Sequence, residues 1–317
     1  MFELVFLGTS ASAPSIHRGM PALAVLAGEH RYLVDCGEGT QRQILQSGIG
    51  FKKLNNILIT HAHLDHILGL GGLVSTFTSW EDIHDLRIWG GRSTLSRINR
   101  LLFGVVLDYD RIDVEIDLIE LQQAGQIAAH REFTVRAFPV THRGSGNFAY
   151  TFKEHDYRPF LVEKAEALGV PAGPERGRLV TGEAVTLADG TVVNPEDVIG
   201  EAEEGAKVVV TGDIARTDNI LHEVEGANTL VIESTFLDVD AGAAKAFGHI
   251  TAKQAAQFAK DAGVQNLIIN HVSRRYRERD IIDEARAIFP NAYVARDFDH
   301  YAVRRGQPVI RNPEKSN

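Results

Sequence analysis

Cysteine is almost absent: Cys36 is the only one among 317 residues, so neither an internal disulfide nor a Cys-rich zinc site can form. Long apolar runs are missing as well. None approaches the roughly 20 residues needed to cross a bilayer. The opening MFELVF is short for a signal-peptide core and carries Glu3 where a basic flank would stand. These absences point to a cytoplasmic protein without a membrane partner. Positive charge is in deficit too, with 33 Lys and Arg against 42 Asp and Glu and a formal net charge of −9. Phosphate neutralisation supplies most non-specific affinity for nucleic acid. An RNA partner would therefore have to be held by a local basic patch or by bound cations.

What the chain does contain is a succession of short apolar runs ended by glycine or polar residues. ELVFLG (3–8), LAVLAG (23–28) and RYLVDCG (31–37) read as strands of an N-terminal sheet. Leu64 to Phe77 reads as a helix, and FTVRAFPVTH (133–142) alternates apolar and polar residues as a strand with one buried face. AKVVVTGD (206–213), NTLVIEST (228–235) and QNLIINH (265–271) are further strands. TAKQAAQFAKDAG (251–263) is a helix with Thr251 as its N-cap and Gly263 as its stop. From about 153 to 205 the pattern gives way to Pro, Gly and mixed charge, an excursion of a length that is usually functional or disordered.

Polar residues recur at the carboxyl ends of these strands. ILIT is followed by His61, RAFPVT by His142, VVVTG by Asp213, LVI by Glu233 and LIIN by His271. Layered α/β sheets build their sites outside the carboxyl ends of strands, so residues far apart in sequence can converge there. The stretch THAHLDH concentrates the pattern. His61 and His63 alternate so that an extended loop aims both at one ion, while Asp65 and His66 begin a helical turn and point toward a second. Remote His142 and His271 are natural completions, and a carboxylate such as Asp213 can bridge two cations roughly 3.5–4 Å apart. Imidazole with carboxylate suits zinc and similar divalent ions, manganese included. Burying three imidazoles and a carboxylate without a metal would cost several kcal/mol. His17, His30, His84, His130, His155, His222 and His300 are read as ordinary core or surface residues.

THAHLDH with a later His, Asp and His at strand ends resembles the metallo-β-lactamase superfamily. Within it the chain most resembles the ribonuclease Z branch. The supporting stretches are FLGTSASAP (6–14), LVDCGEGTQRQI (33–44), VPAGPERGRLVTGEAVTLADG (170–190) and GHITAKQAAQFAKDAGVQNLIINHVSRRY (248–276). The resemblance implies a four-layer αββα sandwich of two mixed sheets, formed by a single domain over 1–317 with an inserted, protruding arm at about 153–180. It implies a dinuclear, metal-dependent endoribonuclease, a hydrolase cutting the 3′ trailer from precursor tRNA by hydroxide attack on a phosphodiester. It also implies a homodimer. One metal would be held by His61, His63 and His142, the second by Asp65, His66 and His271, with Asp213 bridging; zinc is expected in both. Glu233 and His249 match a pair that assists proton transfer to the leaving oxygen, and Asp65 would orient the attacking water and accept its proton.

The sequence departs from the branch in the loop PSIHRG (14–19), where Ile16 and Gly19 replace a lysine and an asparagine while Arg18 remains as a candidate contact to the tRNA 3′ end. Arg274 and Arg275, in SRRYRER directly after His271, are candidate phosphate contacts, since a guanidinium fork binds phosphate oxygens bidentately. Gly173 and Pro174 carry the arm's resemblance to a tRNA-clamping element. Over 153–178 that arm balances Lys153, Arg158, Lys164, Arg176 and Arg178 against Glu154, Asp156, Glu163, Glu166 and Glu175. It would contribute shape and apolar contact through Phe160, Leu161 and Leu168. The alternative activity on the same site is hydrolysis of small phosphodiesters or sulfate esters, and a silent metal- or RNA-binding module is a third.

Overall fold

The computed structural model describes residues 1–80, 83, 85–107 and 114–311; His84 lies outside them. The chain forms two compact units, one of residues 1–153 with 206–317 and one of residues 154–205.

In the larger unit the strands are β1 (Phe2–Gly8), β2 (Ala22–Ala27), β3 (His30–Val34), β4 (Asn56–Leu58), β5 (Asp85–Gly91), β6 (Glu115–Leu121), β7 (Gly125–Ala129), β8 (Phe133–Pro139) and β9 (Phe148–Glu154). The smaller unit contributes β10 (Val185–Thr186) and β11 (Val192–Val193). The larger unit resumes with β12 (Lys207–Val210), β13 (Thr229–Glu233), β14 (Asn266–Asn270), β15 (Ala292–Val294), β16 (His300–Val303) and β17 (Ile310–Arg311). Among the described residues one sheet runs β17-β16-β1-β2-β3-β4-β5-β6 and the other β15-β14-β13-β12-β9-β8-β7. Both are mixed: β1 and β2 pair antiparallel but β3, β4 and β5 parallel, and β12, β13 and β14 run parallel beside antiparallel β9.

The apolar runs sort these sheets into layers. Alternate residues Phe2, Leu4 and Phe6 of β1 join Val208 and Val210 of β12 in one cluster between the sheets. The intervening Val5 and Leu7 pack outward with Leu70, Leu73 and Phe77, and Val209 packs outward with Ala255, Ala256 and Phe258 of the helix Ala252–Asp261. Strands buried on both faces need continuous rather than alternating apolar sequence, which is why these runs are so uniform. The result is the expected four-layer αββα sandwich. The helix read over 64–77 is present as Leu64–Ile67 and Gly69–Trp80, interrupted at Leu68. Thr251 caps Ala252–Asp261 in a reciprocal capping box with Gln254.

The smaller unit is longer than the 153–180 arm read from the sequence. It carries a core of its own from Ala165, Val170, Leu179, Val185, Val193 and Val198, with Phe160 packed against it. Gly173 precedes a short helix that begins at Pro174. The small residues of this core are spaced at neither helical nor strand period, so no periodic signal announced it.

Candidate metal centre

Parallel pairing sets the carboxyl ends of β12, β13 and β14 side by side, and Asp213, Glu233 and His271 leave from those ends. His61 and His63 follow β4, whereas His142 follows β8. Ligand atoms of His61, His63, His142 and Asp213 all lie within 4.8 Å of one another, as do those of Asp65, His66 and His271. Asp213 joins the two groups. Its Oδ2 stands 3.6 Å from His61 Nε2, 3.5 Å from His66 Nε2 and 3.9 Å from His142 Nε2, and its Oδ1 stands 3.4 Å from His271 Nε2. Asp65 Oδ2 is 3.6 Å from His271 Nε2 and 3.8 Å from His66 Nε2.

A second ring of contacts fixes the imidazoles. His66 Nδ1 donates to Asp35 Oδ2 at 2.7 Å, and His142 Nδ1 donates to the Gly248 carbonyl at 2.7 Å. Thr60 Oγ1 donates to Asp35 at 2.8 Å and so accepts from His61 Nδ1 at 3.0 Å. Thr235 Oγ1 donates to Glu233 Oε2 at 2.6 Å and so accepts from His271 Nδ1 at 2.8 Å. Each of the four rings therefore has Nδ1 engaged and leaves Nε2 to face Asp213, the orientation that such partners impose on metal-ligating histidines. Asp35 and His271 adopt left-handed backbone, φ +59° and +54°. Such strain in non-glycine residues persists where surrounding structure over-determines it.

His61 Nε2, His66 Nε2, His271 Nε2 and Asp213 Oδ1 are buried and find no hydrogen-bond partner. Buried polar atoms are ordinarily satisfied. Ligands ~2.1 Å from a tetrahedral ion lie about 3.4 Å apart, close to the spacings around Asp213. The donor set thus fits divalent metal ions. Burial lowers the pKa values of His61, His63 and His142, which favours the neutral, ligating form. Burial opposes charge on His66 as well, but Asp213 and Asp35 raise its pKa well above the ordinary value.

Glu233 and His249 form a separate arm of the site. Glu233 is buried and accepts from Ile214 N at 2.9 Å and Thr235 N at 3.2 Å, and its Oε1 is 2.8 Å from His249 Nδ1. It therefore holds His249 directly and His271 through Thr235. Burial disfavours a charged His249, yet the Glu233 carboxylate outweighs it and raises the pKa to about 9.

His63, Asp65, Asp213, His249, Arg143, Arg274 and Arg275 line one cleft of about 340 Å³. Within SRRYRER the arginines divide. Arg277 pairs with Asp280 and Arg279 with Asp283, while exposed Arg274 and Arg275 have no ion-pair partner among the described residues. Arg18, expected to contact the tRNA 3′ end, has its guanidinium engaged within the chain. Its guanidinium donates to Thr9 Oγ1 and the Ala295 carbonyl, both at 2.6 Å, and pairs with Glu278 at 2.9 Å with 15% of the side chain exposed. It braces its loop from inside, and Ile16 is among the residues left outside.

Asp35, Thr60, Thr235 and the Gly248 carbonyl were missed in the sequence. Asp35 had a signal: it ends RYLV at a carboxyl strand end, as the other site residues do. Of the remaining histidines, His300 is buried against Glu3 at 2.8 Å and His130 lies against His30 and Tyr32.

Comparison with known proteins follows the same lines. Residues 2–157 match the family described as Anti-Pycsar protein Apyc1. The chain is 46% identical to the ribonuclease Z of Bradyrhizobium diazoefficiens, over 96% of this chain and 100% of that one. It is 38% identical to the ribonuclease Z of Archaeoglobus fulgidus over 94% and 96%. Among solved structures, the metallo-β-lactamase fold protein YhfI of Bacillus subtilis superposes with TM-score 0.68 at 18% identity, over 95% of this chain and 100% of that one. The short form of human tRNase Z superposes with TM-score 0.64 at 24% identity, over 95% and 99%.

Proposed function

The chain belongs to the ribonuclease Z family, and we propose that it is a metal-dependent endoribonuclease that removes the 3′ trailer from precursor tRNA. The observation that carries the chemistry is the set of buried, unpartnered ligand atoms converging on Asp213. His61, His63 and His142 would hold one divalent ion and Asp65, His66 and His271 the other, with Asp213 between them. Nitrogen and oxygen ligands without thiolate suit zinc, and manganese also accepts them. Bound there, such ions would neutralise charge on the scissile phosphate and lower the pKa of water to about 7, supplying hydroxide at neutral pH.

The chain's own groups divide the remaining work. Asp65 accepts from Ser12 N at 3.1 Å and has its pKa held down to about 2, burial working against this and the neighbouring His271 and His66 imidazoles for it. It is ionised at neutral pH and can orient the attacking water. His249 lends Nδ1 to Glu233, which leaves Nε2 for the substrate. With a pKa near 9 it is protonated at neutral pH and can donate to the 3′ oxygen as the P–O3′ bond breaks. The products are a tRNA ending in a 3′ hydroxyl and a trailer beginning with a 5′ phosphate. Arg274 and Arg275 stand where flanking phosphates would lie. The same reading takes the protein as a cytoplasmic homodimer, with Gly173 and Pro174 in a unit that engages the tRNA body.

Hydrolysis of small phosphodiesters or sulfate esters is the competing reading, and the acidic charge of the chain favours it. Metal-stripped protein, reloaded with zinc or manganese, should be offered precursor tRNA, bis-p-nitrophenyl phosphate and p-nitrophenyl sulfate. Cleavage of precursor tRNA at the trailer junction is expected. Turnover of a small ester alone would replace the RNA reading.

A further inference from the structure

The cleft beside the metal centre contains an aromatic surface that the phosphodiester chemistry does not use. Phe247, 49% exposed, stacks on buried Phe236 with ring centroids 6.2 Å apart and planes within 7°. The Arg143 guanidinium lies 5.3 Å from the Phe247 centroid and donates to the Ala246 carbonyl at 3.0 Å. The other half of Phe247 is open to a cleft lined by Arg143, Arg274 and Arg275. Aromatic rings and guanidinium planes are the surfaces on which unpaired bases stack.

Its place in the chain says which base. Phe247, Gly248 and His249 are consecutive. Gly248 takes φ +74°, and a Cβ there would lie 3.2 Å from Arg143 Cγ and 3.5 Å from His142 Nδ1. Its carbonyl holds His142, and the next residue is the proton donor. The segment thus fixes the aromatic ring, a ligand histidine and the acid as one rigid piece. The 3′ oxygen that leaves must sit at His249, so the nucleotide that bears this oxygen lies beside Phe247. We propose that Phe247, backed by Phe236 and flanked by Arg143, is the stacking seat for the base immediately 5′ of the scissile phosphate. This rests on the endoribonuclease reading above and adds to it an unpaired base at the cleavage junction as a recognised element.

The test is a double-mutant cycle with the metal-loaded, full-length protein. The substrates are precursor tRNA and the same precursor with an abasic nucleotide 5′ of the scissile phosphate. Loss of one stacked base should lower kcat/KM of the wild type by about ten- to a hundredfold. Phe247→Ala should lower kcat/KM on the intact precursor by a similar factor, and the abasic substitution should then cost it little more. Phe247→Trp should keep the full abasic penalty. 2-Aminopurine at the same position should be quenched on binding to wild type and not to Phe247→Ala. Penalties that simply multiply, or coupling to the nucleotide 3′ of the cut instead, would overturn the proposal. Failure of the wild type to cleave the intact precursor would overturn the functional reading, and this proposal with it.

Discussion

The two units differ most in charge. Residues 154–205 hold twelve Asp and Glu against four Lys and Arg, a net of −8 from the chain's −9, which leaves −1 for all the rest. The smaller unit also neutralises most of the little positive charge it has: Arg158 pairs with Glu196, Arg176 with Glu166 and Arg178 with Glu183. Exposed pairs of this kind contribute only about 0–1 kcal/mol, but they leave those guanidinium groups with carboxylates beside them rather than phosphate. In the larger unit Arg143, Arg274 and Arg275 line the metal cleft. On the proposed function, phosphate attraction would therefore fall to the cleft more than to the inserted unit. What the inserted unit offers is exposed apolar surface, with Tyr157, Val162, Leu168, Val180 and Val192 all outside its core. Of the residues expected to make apolar contact, Leu168 is available, whereas Phe160 packs into the unit itself.

Changes confined to one unit should sharpen this contrast. The largest effect belongs to Asp213→Ala, which removes the carboxylate shared by both ligand groups. Metal analysis should show both ions largely lost, and turnover of every substrate should fall below detection. Retention of two ions would break the assignment of Asp213 as the bridge. Replacing residues 155–204 by a short Gly-Ser linker should have a smaller and more selective effect, since Glu154 and Gly205 already adjoin in the structure. Metal content and hydrolysis of bis-p-nitrophenyl phosphate should persist. Precursor tRNA cleavage should fall by about tenfold or more, equivalent to ~1.4 kcal/mol of binding free energy. Faster cleavage after excision would mean that the −8 unit mainly repels RNA. Smallest is Arg274→Ala combined with Arg275→Ala. KM for tRNA should rise, and the slope of log K against log salt should flatten by roughly 1 for each phosphate no longer neutralised. An unchanged slope would return both residues to ordinary solvated surface.

The sequence by itself determined the layers and singled out the candidate ligands. Uniform apolar runs such as VVV and LII, short and ended by polar residues, read as strands covered on both faces, and a polar side chain able to ligate a metal at the end of each run marks the edge where a site can form. These features are local, so His61, His63, Asp65, His66, His142, Asp213 and His271 were legible in the chain alone. Tertiary structure decided everything that depends on a partner from another strand. It oriented His61, His66, His142 and His271 through Thr60, Asp35, the Gly248 carbonyl and Thr235. It turned Arg18 inward against Thr9 and Glu278. It separated Arg274 and Arg275 from Arg277 and Arg279, whose acidic partners lie one helical turn away. It also set the inserted unit's extent, because six small apolar residues at irregular spacing become a core only once the chain has folded back on itself. Strand period and terminal residue type are written in adjacent positions. Hydrogen-bond partnership is written in the register between distant ones, and only the packed sheets bring those together.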